Sequence, residues 1–84
     1  MTRTEIQDKI VQALASVAPE LDSTSLEADV ALRDQLDLDS MDFLRFVILL
    51  HKEFGVDVPE TDYQKLASLA GAVDYLAARL ASAR

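Results

Sequence analysis

The sequence has no cysteine, one histidine and only two glycines among its 84 residues. Without cysteine there can be no disulfide framework and no thiolate metal site, which fits a reducing cytoplasm. The two glycines form no glycine-rich phosphate loop. The lone histidine, His51, has no second histidine or cysteine with which to share a metal ion, so we interpret it as an exposed residue on a helix face.

Long apolar runs are also missing. The longest, from Phe46 to Leu50, is far too short to span a bilayer, and residues 1–18 lack the continuous apolar run of a signal peptide. Half of the residues are hydrophobic, which is enough for a single core in a chain of this length. We therefore expect one domain over residues 1–84, monomeric, cytoplasmic and without a membrane span.

Basic residues are scarce in one segment. Residues 20–42 hold eight acidic residues and a single base, Arg33, whereas acids and bases balance in the rest of the chain, so this segment carries the whole formal net charge of −7. Such a segment can simply be a solvated loop. It would also attract a basic partner protein, and it argues against nucleic acid, which needs a basic surface.

Hydrophobic periodicity predicts helices and no strands. We expect a first helix over about residues 4–18, capped by Thr4 with Gln7 or by Thr2 with Glu5 and stopped by Pro19. A long connection, residues 19–39, contains too many apolar residues for a flexible linker. We expect it to be pinned onto the core, with a short helical turn around Leu32 to Leu36.

The central helix is predicted from Ser40 to Phe54, with Asp39 as its N-cap and Gly55 at its end. A short helix follows over residues 59–66. The last helix, capped by Ser68, runs to near Ala83, and Gly71 within it allows a neighbouring helix to approach closely. The expected fold is all-α, with three main helices, one short helix and a long loop between the first and second helices.

Ser40 lies where the acidic connection meets the most hydrophobic helix. A helix start presents unpaired backbone N–H groups, so a phosphate ester on Ser40 would sit in a favourable field. His51 lies eleven positions further along the same helix, roughly 16 Å away at about 1.5 Å per residue, too far for a Ser–His pair. We interpret Ser40 as a modified residue and not a nucleophile, although serine also occurs at helix starts merely as a cap.

The central helix is apolar over more than one face. At about 100° per residue, one face groups Phe43, Phe46, Val47, Leu50 and Phe54 as a core stripe. A second row consists of Met41, Leu44 and Ile48. This row is interpreted either as a docking surface for partner proteins or as a surface buried against the long loop.

Four features together resemble the acyl carrier protein family across nearly the whole chain. They are Asp39-Ser40-Met41, the apolar helix to Phe54, the Val58-Pro59-Glu60 turn and Asp74-Tyr75-Leu76 in the last helix. The resemblance implies a four-helix bundle of acyl-carrier type without catalytic activity of its own. It also implies that a phosphopantetheinyl transferase attaches 4′-phosphopantetheine from coenzyme A to Ser40, with Asp39 as part of the attachment motif.

The same resemblance implies functions for other residues. Met41, Leu44 and Ile48 would face partner enzymes, and we expect Asp37, Asp42 and Arg45 to contribute to that surface. The partners would be acyl-activating, acyltransferase or synthase enzymes with basic docking surfaces. A cavity for the acyl chain would have four neighbours, which could equally be ordinary core: Phe46, Leu50, Tyr63 and Leu66.

Two features depart from the family pattern. The central helix carries Arg45, His51 and Lys52, whereas carriers of fatty-acid synthesis have acidic helices here, which favours a dedicated carrier for a specialised pathway. Asp37 stands where glycine is common, although aspartate tolerates unusual backbone angles better than most residues. Two alternatives remain: a carrier of aminoacyl or peptidyl groups, and an unmodified helical adaptor that binds a basic partner.

Overall fold

A computed structural model describes residues 1–82, which contain helices and no strands. The four α-helices are α1 (Arg3–Val17), α2 (Leu32–Gln35), α3 (Ser40–Phe54) and α4 (Leu69–Ser82), and there are two 3₁₀ helices, Ser23–Ser25 and Glu60–Leu66. The all-α prediction is confirmed. Ala83, to which the last helix was predicted to extend, lies outside the described residues.

Helix α1 begins one residue earlier than predicted because Thr2, and not Thr4, is its N-cap. The Thr2 hydroxyl accepts the Glu5 N–H at 3.1 Å, and the Glu5 carboxylate accepts the Thr2 N–H at 2.9 Å. This reciprocal pair satisfies two backbone donors that the helix itself leaves unpaired. At the other end Ala18, which precedes Pro19, has already left the helical region.

The core lies where α1 packs against both α3 and α4. Its largest fully buried side chains are Phe46, Ile6, Ile10, Leu14, Leu32, Leu50, Leu66 and Leu76. Each buried leucine or isoleucine contributes about 1.5–3 kcal/mol relative to an exposed one. Because α3 shares this core with α1 and α4, its axis is fixed and its N-terminal residue has a defined position.

The long connection is packed onto the core, as expected. Leu32 is fully buried, and its backbone N–H donates to the Ala67 carbonyl at 2.7 Å. The Gln35 amide donates to the carbonyls of Glu27 and Val30, at 2.8 and 2.9 Å. These bonds satisfy loop carbonyls that would otherwise need water. These contacts therefore hold the connection in place and fix the position at which the chain reaches Ser40.

The second 3₁₀ helix is held against α4 by two close contacts. A Cβ atom built on Gly71 would lie 2.7 Å from the Lys65 carbonyl oxygen, so only glycine allows this approach. The Tyr75 hydroxyl donates to Asp62 at 2.7 Å. None of the helices in residues 1–82 has both the length and the apolar character needed to cross a membrane.

Candidate functional site around Ser40

Ser40 is the first residue of α3, and its side chain is exposed as predicted. Asp39 caps the helix by accepting the Asp42 N–H at 2.8 Å, and the Asp42 carboxylate accepts the Asp39 N–H at 3.5 Å. The cap fixes the first turn, so the Ser40 hydroxyl is held at the helix end and open to solvent.

A tight turn directs the chain into this cap. Asp37 has φ 53°, the only positive φ of a non-glycine residue among residues 1–82. The next residue, Leu38, is buried, and its N–H donates to the Arg33 carbonyl at 3.0 Å. Aspartate is one of the few residues that visits the left-handed region readily. The turn therefore survives at a position where a glycine was expected.

Arg33 lies against Ser40, a contact that was not predicted from the sequence. Its guanidinium donates from Nη2 to the Ser40 Oγ at 3.3 Å. The sequence did contain a signal, because Arg33 is the single base among the eight acids of residues 20–42. What the sequence could not show is that a residue seven positions away returns to the start of α3.

An open groove of about 330 Å³ begins at Ser40 and runs between α3 and the second 3₁₀ helix. Its lining is largely apolar and consists of Ala31, Arg33, Ser40, Phe43, Leu44, Tyr63, Gln64 and Ala67. The Phe43 ring is only half-buried and meets the Tyr63 ring edge-on, with centroids 6.4 Å apart. A group attached to Ser40 would have apolar surface directly beside it.

The second apolar row of α3 is exposed. Met41, Leu44 and Ile48 are 66%, 38% and 49% exposed, respectively. The alternative, in which the long connection buries them, is therefore wrong. Arg45 is exposed beside this row, Asp37 is exposed at its N-terminal end, and Asp42 is half-buried. Their part in partner binding stays a prediction.

The four residues predicted to surround an acyl cavity are placed differently from one another. Tyr63 is half-buried and lines the groove beside Ser40. Phe46, Leu50 and Leu66 are fully buried within the core and do not line this groove. The structure therefore brings only Tyr63 close to the attachment region, and a role in holding an acyl chain stays a prediction for all four.

His51, the only histidine, has its polar contacts at the far end of α3. His51 Nδ1 lies 3.1 Å from an Asp57 carboxylate oxygen and 3.2 Å from the Val56 carbonyl. This places His51 in contacts at the C-terminal end of the helix, away from Ser40. No group of three or more metal-ligating side chains occurs within residues 1–82.

Comparisons with known proteins identify the family. A family model described as "Phosphopantetheine attachment site" matches residues 8–76. The acyl carrier protein of Lactobacillus johnsonii is 34% identical over 76 residues, which are 90% of this chain and 94% of that protein. The chain belongs to the acyl carrier protein family.

Further relatives agree with this assignment. The acyl carrier protein of Campylobacter hominis is 32% identical over 72 residues, covering 86% of this chain and 85% of that one. The solved structure of the acyl carrier protein from Enterococcus faecalis matches with a TM-score of 0.80 and 26% identity, covering 94% of this chain and 99% of its own.

Family membership fixes the general function of this carrier. It has a covalently attached 4′-phosphopantetheine group and interacts with phosphopantetheinyl transferase and with acyl-handling enzymes. It is not an enzyme itself. The prosthetic group supplies a thiol that takes up acyl groups as thioesters. The described residues fit such a group, because an exposed serine hydroxyl opens directly onto an apolar groove beside a guanidinium donor.

Proposed function

We propose that Ser40 is the attachment residue of the phosphopantetheine arm in this acyl carrier protein, with Asp39 as part of the attachment motif. The observation that supports this is the exposed Ser40 hydroxyl at the capped N-terminus of α3, opening onto the groove. Attachment forms a bond from Ser40 Oγ to the phosphorus of coenzyme A that bears pantetheine. The adenosine 3′,5′-bisphosphate portion leaves with the electron pair, and the hydroxyl proton passes to the transferase.

We propose further that the protein is a dedicated carrier for a specialised lipid or secondary-metabolite pathway. Helix α3 exposes Arg45, His51 and Lys52. Within its own residues α3 has only two acids, and both are near bases: Asp42 lies 4.0 Å from Arg45, and Glu53 lies 3.6 Å from Lys9. An enzyme that recognises a continuous acidic stripe on this helix would find only two acidic residues, each with a base nearby.

The partner surface in this proposal combines the exposed apolar row with the acidic residues near Ser40. Met41, Leu44 and Ile48 would enter apolar depressions of acyl-activating, acyltransferase or synthase enzymes. Basic residues around those depressions would meet Asp37 and Asp42. We also propose that the chain is a single domain that acts as a monomer in the cytoplasm. The absence of cysteine and the proposed use of coenzyme A as donor support the location.

The attachment site is tested by intact mass. The protein is incubated with coenzyme A and a broad-specificity phosphopantetheinyl transferase, and the wild type should gain one phosphopantetheine. Ser40→Ala should gain nothing, whereas Ser25→Ala, which removes another exposed serine of the acidic connection, should be modified fully. A wild type that gains no mass, or a Ser40→Ala variant that does, would contradict the proposal. Circular dichroism of both variants checks that they are folded.

The pathway is tested on the modified protein. Loading is compared between fatty-acid-synthesis enzymes and acyl-activating enzymes of specialised pathways, with the Lactobacillus johnsonii carrier as reference. We expect the fatty-acid-synthesis enzymes to load this protein less efficiently than the reference, because α3 lacks an acidic stripe. Equal loading would remove the case for a dedicated pathway while leaving the attachment site intact. Loading with an amino acid by an adenylating enzyme would instead support the aminoacyl alternative.

A further inference from the structure

We propose that Arg33 binds the phosphodiester that joins the arm to Ser40, and so holds the first part of the arm at the mouth of the groove. This inference rests on the proposed attachment at Ser40. It concerns a residue that the attachment motif Asp39-Ser40-Met41 does not contain.

The backbone of Arg33 is fixed on both sides. Its neighbour Leu32 is buried and bonded to the Ala67 carbonyl, and the Arg33 carbonyl itself accepts the Leu38 N–H at 3.0 Å. That last bond joins Arg33 directly to the turn that leads into Ser40. The Arg33 side chain therefore extends from a backbone that is held at a defined distance from the α3 cap, and not from a loose segment.

The guanidinium is also available for a new partner. No carboxylate within residues 1–82 lies within 4.0 Å of it, even though acidic residues surround it in sequence. Its contact is the neutral Ser40 hydroxyl at 3.3 Å, which is long for an N–H···O bond. A guanidinium has five N–H donors, so one contact with a hydroxyl leaves donors for phosphate oxygens.

The charges around Ser40 favour a cation beside a phosphodiester at this position. A phosphodiester on Ser40 would add a negative charge beside Asp39 and Asp42, the two carboxylates of the α3 cap. The positive helix end favours the new anion, but the capping carboxylates already occupy that end and repel it. Arg33 is the one base of residues 20–42 and lies on the groove side of Ser40. Charge-assisted bonds from it to the phosphate offset this repulsion.

A thermodynamic cycle separates this interaction from any structural role of Arg33. Urea unfolding is measured for the unmodified and fully modified forms of the wild type and of Arg33→Gln, with complete modification verified by intact mass. Any effect of Arg33 on the fold alone cancels in the cycle. We expect modification to lower the unfolding equilibrium constant of the wild type about two- to fivefold more than that of Arg33→Gln, which is the upper part of the range for exposed ion pairs.

Arg3→Gln is the matched control. It removes the same charge from an exposed arginine that pairs with Asp74 and does not contact Ser40. Modification should change the unfolding equilibrium constant of Arg3→Gln by the same factor as that of the wild type. The ratio of these two factors, which we call the coupling, should therefore be close to one. If the coupling for Arg33→Gln is close to one, or equal to that of Arg3→Gln, the inference is overturned. The attachment site stays valid in that case, because the protein was fully modified. A wild type that cannot be modified would instead refute the attachment site itself.

Two further readouts test the kind of contact. Arg33→Lys keeps the charge and should lose less of the coupling than Arg33→Gln, and an equal or larger loss would show that charge attraction is not the cause. The ³¹P resonance of the modified wild type should differ from that of Arg33→Gln in low salt and approach it in high salt, because exposed ion pairs are screened. Identical spectra in low salt would contradict a contact with the phosphate.

Discussion

The substitution Ile48→Glu tests the docking surface without disturbing the fold. Ile48 is 49% exposed on α3 and borders a second open groove, of about 530 Å³, together with Val58 and Tyr63. A glutamate here would lie three residues after Arg45 and four before Lys52, where each opposite-charge pair adds about 0.2–0.5 kcal/mol to helix stability. This gain offsets the loss of the half-buried part of the isoleucine, so we expect a change in unfolding free energy within about 0.5 kcal/mol.

The effect on partner binding should be larger. Burying a whole isoleucine side chain is worth about 1.5–3 kcal/mol, and about half of this side chain remains for a partner to cover, which gives about 0.7–1.5 kcal/mol. Association with a partner should therefore weaken by about 3- to 10-fold at least, since about 1.4 kcal/mol corresponds to tenfold. Desolvating the introduced carboxylate adds to this loss.

The assay compares kcat/KM for modification by the transferase, or for loading by an acyl-handling enzyme, with urea unfolding of the same variant. Ala15→Glu is the matched control, because it adds the same charge at an exposed position of α1 outside the row. The reasoning is refuted if Ile48→Glu unfolds the domain. It is refuted equally if the variant performs as well as Ala15→Glu with every partner enzyme tried.

The remaining predictions concern the contact between the second 3₁₀ helix and α4. Gly71→Ala should lower the unfolding free energy by about 1 kcal/mol in urea denaturation. Displacing the Lys65 carbonyl costs about 1–3 kcal/mol, which exceeds the gain of about 1 kcal/mol in helix propensity. A stabilised variant would refute the close approach. The hydrogen bond from Tyr75, with the Lys65 charge, holds the pKa of Asp62 below its usual value of 3.8. The ionised Asp62 therefore stabilises the fold above pH 3.8, and this stabilisation is lost as pH falls through the lower pKa of the folded state. Tyr75→Phe should thus unfold more readily than the wild type near pH 6, with the difference narrowing near pH 3, and a constant difference across this range would contradict that linkage.

The fold could be predicted largely because its signals are local. The Asp39 cap, the Gly55 end with φ 65° and the helical spacing of apolar residues each act within a few residues. The choice between Thr2 and Thr4 was undecided because both positions have a suitable partner three residues later. The 3₁₀ turn at Ser23–Ser25 was not predicted, although Asp22 caps it by accepting the Thr24 N–H at 3.0 Å.

The candidate site was only partly accessible from the sequence. The exposed position of Ser40 was predicted from its place at the start of a helix. Helix geometry separated the row of Met41, Leu44 and Ile48 from the core stripe, but it left open whether this row is exposed or buried against the long connection. The acyl-cavity residues illustrate the limit of this reasoning. Periodicity marks Phe46, Leu50 and Leu66 as buried, but a buried position is equally consistent with a cavity wall and with close-packed core.

The sequence alone determined where α3 begins, which of its faces packs in the core and where the negative charge accumulates. These properties depend on residues within one or two helical turns of each other. The tertiary structure decided that Arg33 touches Ser40, that the groove lies between α3 and the second 3₁₀ helix, and that Gly71 admits the Lys65 carbonyl. Each of these needs segments brought together by packing on a shared core, and hydrophobic burial is non-directional, so the sequence pattern does not specify which surfaces meet.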